Sequence, residues 1–174
     1  AFTNIYGNTI NYDIIPMADG GEGTTDALMH ATGATKYTVI VNDPLMRPIE
    51  VSYARADEHQ IAIIEMAAAS GLDLLKKEER NPLYTSSYGT GELIKDALDH
   101  GAKTIILGIG GSATNDGGTG MLSALGVQFT DANGKLLHMH GDNLAHIAQI
   151  DTTNLDTRLK AVSYTHLRAH ETDS

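Results

Sequence analysis

Cysteine and tryptophan are both absent from the 174 residues. Without thiols the chain has no disulfide, no Cys-type zinc site and no thiol nucleophile. Basic residues are scarce: 12 Lys plus Arg stand against 22 Asp plus Glu, a formal net charge of -10. That balance argues against nucleic-acid and anionic-membrane partners, both of which select a basic face. No apolar run approaches the ~18 to 20 residues of a spanning helix, and no basic-then-apolar leader opens the sequence. A soluble, cytoplasmic protein is the expectation. Also missing is any G-x-x-x-x-G-K-[ST] motif, so the chain contains no Walker A phosphate loop.

Glycine, by contrast, is plentiful, and 11 of the 18 glycines fall into three clusters. The first follows a short strand pattern, Tyr12 to Pro16, and precedes a helical pattern running from Thr25 to Thr32, with Gly33 placed to stop it. Alternating segments at Lys36–Val41 and Ile49–Ala54 flank a turn built on Asp43-Pro44 and Arg47-Pro48, a hairpin-like unit. Gln60–Glu65 reads as a more buried strand. The second cluster, Gly89-Thr90-Gly91-Glu92, leads into a helix ending near His100, with Leu93, Ile94, Ala97 and Leu98 inward. Thr104–Leu107 is an unalternating apolar strand of the parallel-sheet kind, and the third cluster, Gly108 to Gly120, follows at once. A short helix at Met121–Leu125 and a hairpin around Asp131-Ala132-Asn133-Gly134 complete the pattern. Strands alternate with helices, which makes the fold class α/β, mostly parallel, with ligands expected beyond the carboxyl ends of the strands.

Each glycine cluster carries hydroxyls and a carboxylate at a helix entry, where backbone amides converge and bind anions. Gly20, Gly21 and Thr24 belong to the first cluster, Thr90 to the second, and Gly110, Gly111, Ser112, Thr114 and Asn115 to the third. All are candidate substrate- or phosphate-binding residues. Thr24, Thr90 and Asp116 have an equally ordinary alternative role as helix caps. Glu65, ending a buried-looking strand, either lines the site or bonds the amides of the turn after it. Gly108-x-Gly110-x-x-Ala113 also satisfies the relaxed dinucleotide pattern, which keeps open a nucleotide-dependent oxidoreductase; a helix starting directly at Ala113 is its requirement. A non-catalytic anion-binding module is the third possibility.

Five blocks together carry a resemblance: Pro16 to Thr24, Glu65 to Leu72, Arg80-Asn81-Pro82-Leu83, Gly89 to Ile94, and Gly108 to Gly120. In this order and spacing the chain resembles the bacterial glycerate kinase family from about Ala1 to Lys160. The resemblance implies transfer of the γ-phosphoryl group of ATP to glycerate, with Mg2+, giving 2-phosphoglycerate. It also implies a fold of two different α/β domains. Phosphoryl transfer relies on positioning and electrostatics, so Asp19, Glu22 and Asp116 are the candidates for catalytic work, with Asp19 and Asp116 also the metal candidates.

The three loops hold four carboxylates (Asp19, Glu22, Glu92 and Asp116) and no Lys or Arg. A site for ATP and a carboxylate substrate needs cations from elsewhere. The family has a lysine-bearing motif that should precede Ala1 and a long C-terminal portion, so residues 1–162 are expected to be a partial, inactive kinase region. Residues 163–174 resemble translated sequencing-adapter sequence and are expected to be a non-native tail, where His166 and His170 carry no metal role. Leu137 to His140 is expected to be a hairpin strand rather than a ligand pair.

Overall fold

A computed structural model describes residues 20–167. The strand expected at Tyr12–Pro16 and the candidate Asp19 therefore lie outside the described residues. Helix α1 (Thr24–Thr32) ends at Gly33, whose amide donates to the Met29 carbonyl at 2.9 Å. Strands β1 (Thr35–Asn42) and β2 (Pro48–Ala56) form the expected antiparallel hairpin, in register from Thr35 opposite Arg55 to Asn42 opposite Pro48. Its turn is held by the buried Asp43, whose Oδ1 accepts from the amides of Leu45 and Arg47 at 2.8 and 2.9 Å. Aspartate closing a turn onto amides two and four residues on is an Asx-type arrangement.

Strand β3 (Ile61–Glu65) runs antiparallel to β2 and parallel to β4 (Thr104–Gly108). The five-stranded order is β1-β2-β3-β4-β7, with β7 (Ser163–Leu167) parallel to β4. Four of the five strands thus point one way and only β2 opposes them. Between β3 and β4 the chain forms the short helix α2 (Met66–Ser70) and then α3 (Tyr88–Asp99). Residues 163–167, set apart on sequence as a tail, accordingly occupy a sheet edge. They are almost wholly exposed there, because edge pairing rests on backbone groups and demands little of the side chains.

The core lies between this sheet and α3. Alternation along β3 sends Ala62 and Ile64 toward Leu93, Ile94, Ala97 and Leu98, the face of α3 that its periodicity marks as apolar. Tyr53 of β2 is fully buried in the same cluster, and its hydroxyl donates to Asp96 Oδ2 at 2.6 Å. Burial, reinforced by that acceptor, pushes the Tyr53 hydroxyl well above the usual phenol range. The Asp96 side chain is correspondingly only 27% exposed.

Beyond the third glycine cluster come α4 (Thr119–Ala124), β5 (Gln128–Thr130) and β6 (Gln149–Asp151). Strands β5 and β6 pair antiparallel, and Val127, Phe129 and Met139 form a second small core. The tight turn at Asp131–Gly134 is present, with Asp131 Oδ1 accepting from the amides of Asn133 and Lys135. The strand expected at Leu137–His140 is not: after a single bridge between Thr130 and Leu136, β5 takes β6 as its ladder partner. Leu137 makes one backbone bond to Phe129, and Met139 turns into the small core.

The second glycine cluster is a correction of a different kind. Gly89, Thr90, Gly91 and Glu92 are not a loop but the first turn of α3. Glycine stands there because the helix is pressed against its neighbours. A Cβ on Gly89 would lie 1.9 Å from the Asn42 carbonyl oxygen, and one on Gly91 would lie 2.3 Å from that of Met121. Glu92 meets the same residue, its carboxylate accepting from the Asn42 amide and side chain at 2.7 and 3.0 Å. Gly89→Ala is expected to destabilise the chain by about 1 to 3 kcal/mol, the range for overpacking a tight contact. Gly134→Ala, in open space, should cost only about 1 kcal/mol of left-handed backbone strain. Urea unfolding of the two variants side by side checks the order; equal costs would show that the close contact is unimportant.

Candidate functional site

The parallel strands β3 and β4 end at Glu65 and Gly108, and the candidate residues gather beyond those ends. The loop Gly20–Gly23 enters α1, and the loop after β4 crosses it backbone to backbone. The Gly110 amide donates to the Gly20 carbonyl at 2.8 Å. There is no room for a side chain at the crossing: a Cβ on Gly110 would sit 2.9 Å from the Gly21 Cα, and one on Gly108 would sit 2.8 Å from the Gly20 carbonyl oxygen. The Gly20 amide donates to Thr24 Oγ1 at 3.0 Å, which closes the first loop on itself.

Glu65 fixes that loop to the sheet. Its Oε1 accepts from the Thr25 amide at 2.6 Å, satisfying one of the first-turn donors of α1. Of the two roles open on sequence, Glu65 thus takes an amide-bonding one, but toward α1 rather than toward the turn that follows it. The loop after β4 is tied on its other side as well. The Leu72 amide donates to the Gly111 carbonyl and the Ala113 amide to the Ser70 carbonyl, both at 2.9 Å. Beneath this bridge, the Ser70 and Thr90 hydroxyls are 2.7 Å apart and both fully buried. Thr90 supports the site from inside the core and offers no donor to a ligand.

Above the crossing, Ser112 and Asn115 are exposed and Thr114 is half-buried. The hydroxyls of Ser112 and Thr114 lie 3.0 Å apart, and Ser112 Oγ also accepts from the Thr114 amide at 3.0 Å. Glu22 is exposed at the tip of the first loop, whereas Thr24 is 1% exposed. Gly20, Gly21, Gly110, Gly111, Ser112, Thr114, Asn115 and Glu22 therefore share one end of the sheet.

Asp116 is placed differently from its expected role. It is 2% exposed, and its Oδ2 accepts from the Ser87 amide, the Ser87 hydroxyl and the Gly120 amide at 2.8, 2.9 and 3.1 Å. Its Oδ1 accepts from the Gly118 amide at 3.0 Å. Three of the four donors converge on Oδ2 and one on Oδ1, so most of the acceptor capacity of the carboxylate is used inside the protein. As placed, Asp116 is an anchor that joins the start of α3 to the start of α4. Capping was the alternative legible in the sequence. Ser87 was not singled out, although a serine pair directly before a helix is a capping signal. Among the described residues, no group of three or more His, Cys, Asp or Glu side chains is placed to hold a metal ion. Nor is any helix among them long and apolar enough to cross a membrane.

The loop after β4 stays irregular through Gly118, and the next helix starts at Thr119, not at Ala113. A dinucleotide fold needs its glycine loop to pass promptly into a packed helix. The oxidoreductase reading is therefore set aside.

The glycerate kinase family model matches residues 1–169. The chain belongs to the glycerate kinase family. It is 51% identical over 152 residues to a glycerate kinase of Halalkalibacterium halodurans, covering 87% of this chain and 40% of that protein. The glycerate 2-kinase of Escherichia coli is 50% identical over 149 residues, 86% of this chain and 39% of its own. A solved structure described as glycerate kinase 2 from Salmonella typhimurium LT2 superposes with a TM-score of 0.84 at 45% identity, over 95% of this chain and 44% of its own. The chain thus spans about 40% of the length of the curated relatives it matches. The fold is that of part of a glycerate kinase.

If Asp116 is the anchor described, Asp116→Asn loses acceptor capacity against four fixed donors and should cost about 2 to 3 kcal/mol. Urea unfolding with an unchanged slope and a lower midpoint is the expected result. A change below about 0.5 kcal/mol, the ordinary scatter of surface substitutions, would remove the anchoring role.

Proposed function

We propose that this chain supplies the glycine-loop part of an active site that moves the γ-phosphoryl group of ATP to glycerate, giving 2-phosphoglycerate. The observation that carries the reading is the crossing of the two loops, Gly110 on Gly20, beyond the carboxyl ends of β3 and β4. That is the place where α/β folds bind anionic ligands, and side-chain-free backbone lets phosphate oxygens come close. Family membership supports phosphorylation of glycerate as the reaction class.

Phosphoryl transfer asks the protein for position and charge stabilisation more than for covalent chemistry. In this proposal Ser112, Thr114 and Asn115, with the backbone around Gly111, donate hydrogen bonds to phosphate oxygens. Gly20, Gly21 and Thr24 shape the opposing loop, and Glu65 and Thr90 hold the two loops to the core. Asp116 serves as a positioning residue, keeping the third loop at a fixed height above the start of α3. Mg2+ is bound by phosphate oxygens and water with one or two carboxylates; Glu22 is the exposed loop carboxylate that fits this donor set, and Asp19 is the second candidate. When bound, the ion would neutralise charge developing on the transferred group. The site is proposed to work in the cytoplasm on small molecules.

The three loops supply no Lys or Arg, so the 174-residue chain is proposed to be inactive alone. With glycerate, ATP and Mg2+ it should release no ADP above background. Residues 20–160 exchanged for the matching region of the Halalkalibacterium halodurans enzyme should restore glycerate-dependent ADP release. Ser112→Ala with Thr114→Ala in that chimaera should lower turnover about 100-fold or more, the usual loss when transition-state donors are removed. Turnover by the 174-residue chain would refute the cation argument. Full activity of the double variant would take both hydroxyls out of the site.

A further inference from the structure

A cavity of about 640 Å³ lies to one side of the loops, between residues 84–88 and the β5 unit. That falls within the roughly 300 to 1,000 Å³ of small-molecule sites, and it is far larger than glycerate requires. Its floor is firm, since Val127, Phe129 and Met139 are 5%, 2% and 6% exposed. Tyr84 and Tyr88 line one side. His140 meets Tyr84 edge-on at 6.1 Å, and its ring is fixed by the Leu83 carbonyl at 2.9 Å and the Asn143 side chain at 3.2 Å.

Two features of the lining decide what it takes. Among the described lining residues there is no Asp, Glu, Lys or Arg, and His138 and His140 bring the only basic side chains, so the lining carries no fixed charge for a phosphate or a carboxylate. Aromatic rings and the carboxamides of Gln128 and Asn154 are present together. Rings stack on a heterocycle, and a carboxamide pairs with the donor and acceptor edge of adenine. The other cavity described, about 230 Å³, is lined by Glu92, Asp96 and Asp99 against a single Lys95, which repels a polyphosphate.

The cavity also borders the elements that anchor the third glycine loop. Ser86 and Tyr88 flank Ser87, the residue gripped by Asp116, and Ser123 stands on α4, the helix into which the loop 108–118 runs. We propose that this cavity is the base subsite for the nucleotide, holding a neutral purine between Tyr84, Tyr88 and Phe129 while the phosphates reach the Ser112–Thr114 loop. The assignment rests on the kinase reading above, and it adds where the nucleoside binds.

Adenosine separates the two, because it lacks the phosphates that the loops would hold. Titrated into the 174-residue chain and followed by two-dimensional NMR, it should saturate and shift the amides of residues 127–129 and 137–139. Leu137→Trp, which fills the cavity, should weaken adenosine by about tenfold or more, the loss of one base stack. The shift map on the unaltered chain stands as the test if that variant does not fold. No saturable binding overturns the proposal, as do shifts confined to other residues or equal affinity in a folded Leu137→Trp. If adenosine is inert while a hydrophobic dye saturates the same amides, the cavity is an apolar docking face, and the proposal fails. A chimaera active on glycerate with no adenosine effect sinks the base subsite alone. Adenosine binding with an inactive chimaera sinks the kinase reading alone.

Discussion

The candidate site depends on one close approach, the backbone of Gly110 lying on the backbone of Gly20. The main-chain hydrogen bond there is 2.8 Å, a Cβ on Gly110 would collide with Gly21, and Gly20 itself has the left-handed φ of 88° that favours glycine. Once the loops cross there, the rest of the arrangement is constrained. Glu65 reaches the first turn of α1, the bridge between Gly71 and Ser112 closes the far side, and the hydroxyls of Ser112 and Thr114 are left uppermost. The same requirement for side-chain-free contact recurs at Gly89 and Gly91, where α3 lies against Asn42 and α4. Glycine in this chain thus serves close packing at several separate places.

The acidity of the chain has a similar explanation. Asp43, Glu65, Glu92, Asp116 and Asp131 all accept hydrogen bonds from backbone amides. Glu92 holds the end of β1, and the others close a turn or fix a helix start, where amides have no helical partner of their own. The Lys135 amide, with that of Asn133, holds the Asp131 carboxyl below the ordinary aspartate range. The Thr153 hydroxyl and amide do the same for Asp151. Much of the excess negative charge is therefore an internal framework of amide acceptors, and it needs no basic partner to account for it. Conversely, the scarcity of cations near the glycine loops stands out more sharply, because so few carboxylates there are free to carry a metal.

Much of the α/β pattern was legible from periodicity. Helix α1, the β1–β2 hairpin, β3, the buried face of α3, β4 and the turn at Asp131–Gly134 all follow from local signals: apolar spacing, Pro and Asp at turns, glycine at a helix end. Local signals failed where a tertiary contact made the decision. The glycines of residues 89–91 read as a loop because glycine is a poor helix former, but packing against Asn42 and Met121 outweighs that preference. Leu137–His140 has the alternation of a strand, yet β5 is paired by β6, a segment much further along the chain. For the site, the structure brings the backbones of the first and third clusters together, Gly110 on Gly20. Asp116 and Thr90 were chemically suitable, and only their partners reveal that both face inward.

The amino-acid sequence by itself determined the class of fold, the family and the excluded chemistries. Composition, periodicity and five ordered motifs do not depend on where distant residues meet. The tertiary structure decided which of the carboxylates and hydroxyls can touch a ligand. Burial and hydrogen-bond partners are properties of residues far apart in sequence, such as Asp116 with Ser87 or Ser70 with Thr90. It also decided that the third loop stays irregular to Gly118, because its backbone is bonded to Gly20 on one side and to Ser70 and Leu72 on the other. No local propensity encodes that pair of contacts.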